Sequence, residues 1–345
     1  MRRTASPLSL VILGLGVFLL VLAPMLAWFV TPRAKVNPID IDSTTVLTGT
    51  GSYFDTEKVP VGPVDGNLTV TRQVRGDVAD SSEKLAAWDV VTSIDPDKSL
   101  PASSPHDALQ WTQERWVTDR RTNRPVHCCQ EEPYFEGEAY LKFPFDVQER
   151  SYTWWDGTLG ATVVLEYEER KTIEVDKDRD GTVDLSHEGM LFTGKVDETR
   201  TGTRQVPGSL VGSEADQVLA EEWYENQGIE LVVDERTGRI LDARIGPKKT
   251  LRAPGSSKEA VVLLDSKKLV FTDRTRAEQI ELARADNDRL KLVSGTLPVG
   301  SGVLGLVLLA AGTFLVVRGR ERPDAGPPAG PDPQAPAPAP VSAPV

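Results

Sequence analysis

Two uncharged apolar runs, Leu8–Val30 and Leu297–Val317, bracket the chain and set its organisation. Each has about the 20 residues that a helix needs to cross roughly 30 Å of hydrocarbon at 1.5 Å per residue. The roughly 265 residues between them are polar and acidic, enough for a large folded domain with its own core. The pattern divides the chain into an N-terminus (1–7), a transmembrane helix (8–30), an extracytoplasmic domain (31–296), a second transmembrane helix (297–317) and a tail (318–345). Neither run contains Asp, Glu, Lys, Arg or His, so both read as anchors and not as ion or proton paths.

Basic residues are retained in the cytoplasm, and Arg2 and Arg3 precede the first run while Arg318, Arg320 and Arg322 follow the second. Both termini therefore read as cytoplasmic, in a double-pass cell-membrane protein. Arg33 and Lys35, just outside the first run, weaken the signal there. A cleaved signal peptide is the rival reading of that run. Its length exceeds the usual 7–15-residue apolar region, and Met25-Leu26-Ala27 is a poor cleavage site, so an uncleaved anchor is expected. Gly300, Gly302, Gly305 and Gly312 permit close packing of the second helix against the first or against another subunit of a homo-oligomer.

The net charge of −12 argues against nucleic acid as a partner, since a duplex requires a positive footprint. The stretch from Pro323 is Pro- and Ala-rich and lacks residues that build a core; it reads as a disordered cytoplasmic tail.

Within the central domain, short segments alternate in polarity between turn residues. They are Leu68–Val74, Thr162–Glu168, Lys171–Val175, Met190–Val196, Gly228–Val233 and Arg239–Ile245, the last two joined by a hairpin-like turn over Asp234–Gly238. Ser213–Asp216 resembles a capping box opening a helix through about Asn226, closed by Gly228. Arg274–Leu292 reads as a second helix with Asp273 as its cap. The expected class is α+β, one β-rich extracytoplasmic domain between two transmembrane helices, with no linker or internal repeat.

Three groups of residues carry candidate chemistry. Asp176, Asp178, Asp180, Thr182 and Asp184, with Gly181, follow the spacing of a calcium-binding loop, in which carboxylates at alternate positions and a Gly-permitted turn gather oxygens around the ion. The pattern fails at position 12, where His187 stands and Glu188 comes one place late; the rival reading is an acidic hairpin turn. Cys128 and Cys129 are adjacent, which leaves either a vicinal disulfide or two thiols, one of them pairing between chains. His127 beside them suggests a Cys/His nucleophile, but catalytic partners usually converge from distant segments, so a structural role is expected. The aromatic cluster Tyr134, Phe135, Phe143, Phe145, Tyr152, Trp154 and Trp155 is expected to be core, with an apolar cavity as the alternative. Gly-x-Ser-x-Gly, His-Glu-x-x-His and the phosphate- and dinucleotide-binding glycine loops are absent, and acidic pairs such as Glu131-Glu132 and Glu221-Glu222 read as solvated surface. The expectation is a protein that is not an enzyme.

Several phrases along the domain carry a family resemblance. They are Thr48–Tyr53, Leu68–Arg72 with Gly76-Asp77, Trp88–Thr92, Val117–Thr122 running into His127–Cys129, Lys142–Phe145 with Glu149–Asp156, and Val233–Gly238. In this order and spacing they resemble the PorA-like porin family of high-GC Gram-positive bacteria, a domain of unknown function. The resemblance implies a cell-envelope protein. A β-barrel pore displays an apolar band on strands of about 9–11 residues flanked by aromatic girdles, whereas the strand candidates here are shorter and dense in charge. The layout is similar instead to class B scavenger receptors, which carry lipid through an apolar tunnel; that likeness is one of architecture. The expected role is to bind or pass a lipid-like envelope component, or to scaffold envelope-assembly proteins, with an oligomeric pore as the alternative.

Overall fold

The computed structural model describes residues 7–55, 62–96 and 108–321; Arg2, Arg3, His106, Arg322 and the Pro-rich tail lie outside the described residues. The described residues form two compact units, one within 1–27 and 296–345 and the other within 28–295.

The first unit pairs α1 (Pro7–Met25) with α4 (Leu297–Glu321). Both belong to helical stretches long and apolar enough to cross a membrane. Their contact depends on missing side chains. A Cβ on Gly16 would meet Leu309 N at 2.6 Å, one on Gly305 would meet Leu20 N at 2.9 Å, and one on Gly312 would meet Leu13 Cα at 2.9 Å. Gly305 and Gly312 thus serve the approach of the second helix to the first within one chain, whereas Gly300 faces open space and Gly302 makes only an ordinary contact with Ala23.

In the second unit the short helix α2 (Thr31–Ala34) precedes β1 (Asp42–Asp55), which with β2 (Gly62–Gly76), β3 (Leu85–Pro96) and β4 (Gln110–Asp119) forms one antiparallel meander. A second comprises β5 (Tyr152–Asp156), β6 (Ala161–Val175), β7 (Leu185–Pro207), β8 (Gln217–Val233) and β9 (Ile240–Arg252). The short β10 (Val261–Asp265) and β11 (Leu269–Phe271) join β1 to β9, giving one sheet in the order β4-β3-β2-β1-β10-β9-β8-β7-β6-β5.

The strands are longer than the alternating segments suggest. Thr162–Glu168 and Lys171–Val175 are one 15-residue strand whose register shifts between Tyr167 and Glu169, and β7 runs for 23 residues. The helix expected from Ser213 to Asn226 does not form. Gly208–Val211 makes a 3₁₀ turn, the Ser213 hydroxyl accepts from Ala215 N, and Gln217 onward is β8, paired along its length with β7 and β9. Pairing on both sides overrides the local capping pattern. The second helix forms as α3 (Asp273–Lys291), but its cap is Thr272, whose side chain accepts from Thr275 N; Asp273 instead ion-pairs Arg276 in the first turn.

The sheet curls around its largest core. Leu47 and Leu68, Leu165 and Phe192, Leu231 and Ala243, and Leu264 and Phe271 from eight strands pack into one cluster. The segment between β4 and β5 bridges both edges of the sheet: Arg115 and Glu132 exchange two backbone hydrogen bonds, and Trp155 N donates to Ala139 O at 2.9 Å. Both edge strands are thereby paired. α3 lays Ala277, Ile280 and Ala283 against Val175, Leu191 and Leu241, in a separate cluster.

Asp234, at the β8–β9 turn, ties three elements together. Its carboxylate accepts from Thr237 N and Oγ1 in the turn and from Asn287 Nδ2 of α3, and contacts His187 Nε2 of β7 at 2.8 Å. Burial alone would raise this carboxyl, yet the hydrogen bonds from His187, Thr237 and Asn287 hold it at about 2. The folded state thus favours the ionised form. That contribution is complete above the ordinary carboxyl value of about 4 and disappears as pH falls toward 2. Denaturant unfolding of the full chain in micelles should show wild type more stable than Asp234→Asn at pH 6, the gap closing by roughly 2 kcal/mol between pH 4 and pH 2. A gap that does not change with pH contradicts this assignment.

Candidate functional site

Inside the curled sheet the core is not filled. A cavity of about 460 Å³ lies among Leu47 of β1, Val70 and Val74 of β2, Trp88 of β3, Leu231 of β8, Ala243 and Ile245 of β9, and Phe271 of β11. Tyr140, Phe145 and Trp154 from the bridging segment and β5 complete the apolar wall. The alternation of β2 accounts for its share, since Val70, Arg72 and Val74 all point to one face. A second cavity of about 110 Å³ shares Val70, Arg72, Tyr140, Trp154 and Ile245 with the first, so the two adjoin at Arg72. The aromatic cluster is divided between the expected core and the alternative cavity: Phe135, Phe143, Tyr152 and Trp155 are buried in core clusters, whereas Phe145 and Trp154 line the cavity and Tyr134 is exposed.

The cavity walls are apolar but carry charge at defined points. Arg72 Nε donates to Thr92 Oγ1 at 3.3 Å, with the guanidinium 5.4 Å from the centre of the Tyr140 ring. Lys142 donates to Asn37 Oδ1 at 2.7 Å, and Arg239 bonds Gln279 and Asp286 of α3. Burial lowers the Lys142 amine to about 7. Around the smaller cavity the acids are satisfied internally. The Tyr140 hydroxyl donates to Glu114, and Asp156 accepts from Thr158 N, Leu159 N and the Tyr224 hydroxyl. Burial raises Asp156, Tyr140 and Tyr224 above their ordinary values, so both tyrosines remain donors at neutral pH.

A family model described as Porin PorA matches residues 8–314. The chain belongs to that family. No curated protein matches the chain. In this PorA-family domain, Arg72 and Lys142 fall within the phrases that carry the resemblance, where local pattern gives neither of them a chemical role. Arg72 had a readable signal, because it interrupts the inward-facing series Leu68, Val70, Val74 of an alternating strand. Lys142 and Arg239 come from loops separated by most of a meander, which local pattern does not join.

The residues singled out from sequence lie elsewhere. Cys128 and Cys129 are bonded to each other, and the Cys129 carbonyl accepts from Arg115, which also pairs Asp77, Asp80 and Asp89. His127 engages Glu131 at 2.7 Å and stacks on Tyr134 with ring centres 3.9 Å apart. Glu221 and Glu222 pair Arg200 and Arg204.

The acidic turn brings oxygens of Asp176, Asp178 and Asp184 within 4.8 Å of one another, while Asp180 is turned to Thr182. The turn supplies donors of its own: Asp176 accepts from the amides of Asp180 and Gly181, and Asp184 from that of Lys177. His187 and Glu188 at its far end bond Asp234 and Arg170 instead. An ion held by the three carboxylates stabilises the folded state by mass action. The calcium reading predicts that millimolar calcium raises the melting temperature of the full chain above that in chelator, that magnesium does so less, and that Asp178→Asn removes the difference. Identical melting with and without calcium leaves the turn to its own amides.

Proposed function

We propose that this PorA-family chain is a non-enzymatic cell-envelope protein whose extracytoplasmic domain takes a lipid-like envelope component into its interior, to pass it on or to present it to envelope-assembly proteins. The observation that carries the reading is the cavity of about 460 Å³ inside the curled sheet, within the size range of small-molecule sites and predominantly apolar. Ala34 and Leu290 on its wall add a second argument from chain connection. Ala34 ends the short helix Thr31–Ala34 that follows the first apolar stretch, and Leu290 precedes by a few residues the start of α4. The cavity wall is thus linked to both apolar stretches by short lengths of chain. The comparison with class B scavenger receptors enters this proposal only as an analogy of architecture.

On this reading both termini are cytoplasmic. In intact cells an impermeant thiol probe should label a cysteine introduced at Gly66 and miss one at Ala337, in a background with Cys128 and Cys129 changed to Ser; the reverse pattern places the domain in the cytoplasm.

The family's description favours a second reading, an oligomeric pore. One preparation separates the two. In neutral-lipid nanodiscs, an environment-sensitive apolar dye should bind the full chain saturably, and Ala243→Phe, which fills the cavity, should weaken it about tenfold or more. Equal dye binding by both proteins, together with reproducible unitary conductance in planar bilayers, favours the pore.

A further inference from the structure

Charge on the cavity wall is unbalanced. Five cations, Arg72, Arg120, Lys142, Arg239 and Arg289, and one carboxylate, Asp286, line it among the described residues. Two of the cations are held side by side by the backbone. Phe143 N donates to Gly238 O at 2.7 Å, which brings the backbones at Lys142 and Arg239 together; both side chains line the cavity, and the Arg239 charge acts on the Lys142 amine. Gly238 makes the approach possible: it lies at φ +71°, and a Cβ there would meet Phe143 O at 2.1 Å.

Neither cation is fully used by the protein. The Lys142 ammonium has three protons; it donates to Asn37 Oδ1, lies 3.7 Å from the centre of the Phe145 ring, and has no carboxylate in ion-pair contact among the described residues. Asn37 is itself buried and fixed by Asn123 and Arg120, so the ammonium is aimed and not free to leave. Arg239 gives Nη2 to Asp286 at 3.0 Å and Nη1 to Gln279, while its Nε is buried with no acceptor. Like charges brought together away from water repel, and a buried donor without a partner is costly. An anion between them relieves both.

Resting on the reading of the cavity as a lipid-like site, we propose that its occupant is a single-chain anionic amphiphile, with a carboxylate or phosphate head between Lys142 and Arg239 and its chain along the apolar wall toward Trp154. The groups surrounding Lys142 are Arg239 and Asp234 of the β8–β9 hairpin, Asp286 and Arg289 of α3, and Arg120 after β4. Burial, with Arg239 adding to it and Asp286 and Asp234 opposing it, leaves the amine near 7; a bound anion pulls it back up. Anion preference should therefore fade as pH rises past neutrality.

The test uses the full chain in neutral-lipid nanodiscs, with empty discs as the blank. Displacement of the bound dye is measured for dodecanoate, dodecyl phosphate, dodecanol and inorganic phosphate. At pH 6 the two anionic amphiphiles should displace the dye at concentrations about tenfold or more below dodecanol, and inorganic phosphate should not displace it. Lys142→Met should lose most of the anion preference, read as the ratio of dodecanoate to dodecanol displacement within that same protein. In wild type the dodecanoate-to-dodecanol ratio should fall between pH 6 and pH 9, whereas Lys142→Arg, always charged, should hold it level. That pH comparison stands even where Lys142→Met fails to fold.

Equal binding of dodecanoate and dodecanol at pH 6 overturns the anion assignment and leaves the apolar cavity reading intact. So does an undiminished preference in a Lys142→Met protein that still binds dodecanol. Displacement by inorganic phosphate at amphiphile concentrations overturns the amphiphile class in favour of a free anion. Failure of all the chain-bearing probes removes the cavity reading and this proposal together.

Discussion

The backbone hydrogen bonds between the bridging segment and the two edges of the sheet hold the rest of the domain in place. A meander of this length would otherwise end in two open edges, each a row of unpaired amides and carbonyls. Arg115 and Glu132 pair on one side and Ala139 and Trp155 on the other, so a single stretch of chain binds both edges. Once it does, the inward faces of strands far apart in sequence must share one interior. That interior receives Leu47, Leu165, Leu231 and Phe271 together. The same segment contributes Tyr140, Lys142 and Phe145 to the cavity wall, so closure of the sheet and construction of the site are one event.

An interior of this kind is apolar by necessity and charged by exception. The exceptions fall into two groups with different logic. Glu114 and Asp156 are satisfied by tyrosine hydroxyls and amides, an arrangement that needs no outside partner. Lys142 is held by the neutral Asn37 amide oxygen, and Arg239, though paired with Asp286, keeps a buried Nε proton without an acceptor. A polar group retained in an apolar wall with capacity unspent is the usual form of a ligand's orienting contact. The walls give room for a chain, and the uneven distribution of charge gives that room a polar end.

Sequence made some of this legible. The two apolar runs appear as helices because twenty uncharged residues admit few other fates, and the alternation in Leu68–Val74 and Met190–Val196 appears as strand for an equally local reason. The family follows from phrases read in order. Elsewhere local signals misled. Ser213–Asp216 carries a helix-start pattern, but β7 and β9 claim the following residues from both sides, and no local rule registers neighbours that distant. Alternation alone underestimates strand length at Tyr167–Glu169, where an irregular register interrupts the pattern without ending the strand. Lys142 and Arg239 were hidden more deeply. Their pairing depends on one long-range backbone bond to Gly238, and a glycine in a turn reads the same whether its role is the turn or the approach of another chain segment.

The central claim is that the space inside the curled sheet belongs to a ligand, and the most direct measurement is native mass spectrometry of the full chain released gently from its own membrane. The account predicts an added mass, one amphiphile per chain, that ionises as an anion after ejection and is missing from Ala243→Phe prepared alongside. A wild-type spectrum showing only the polypeptide mass, under conditions that preserve lipid on a control membrane protein, contradicts it.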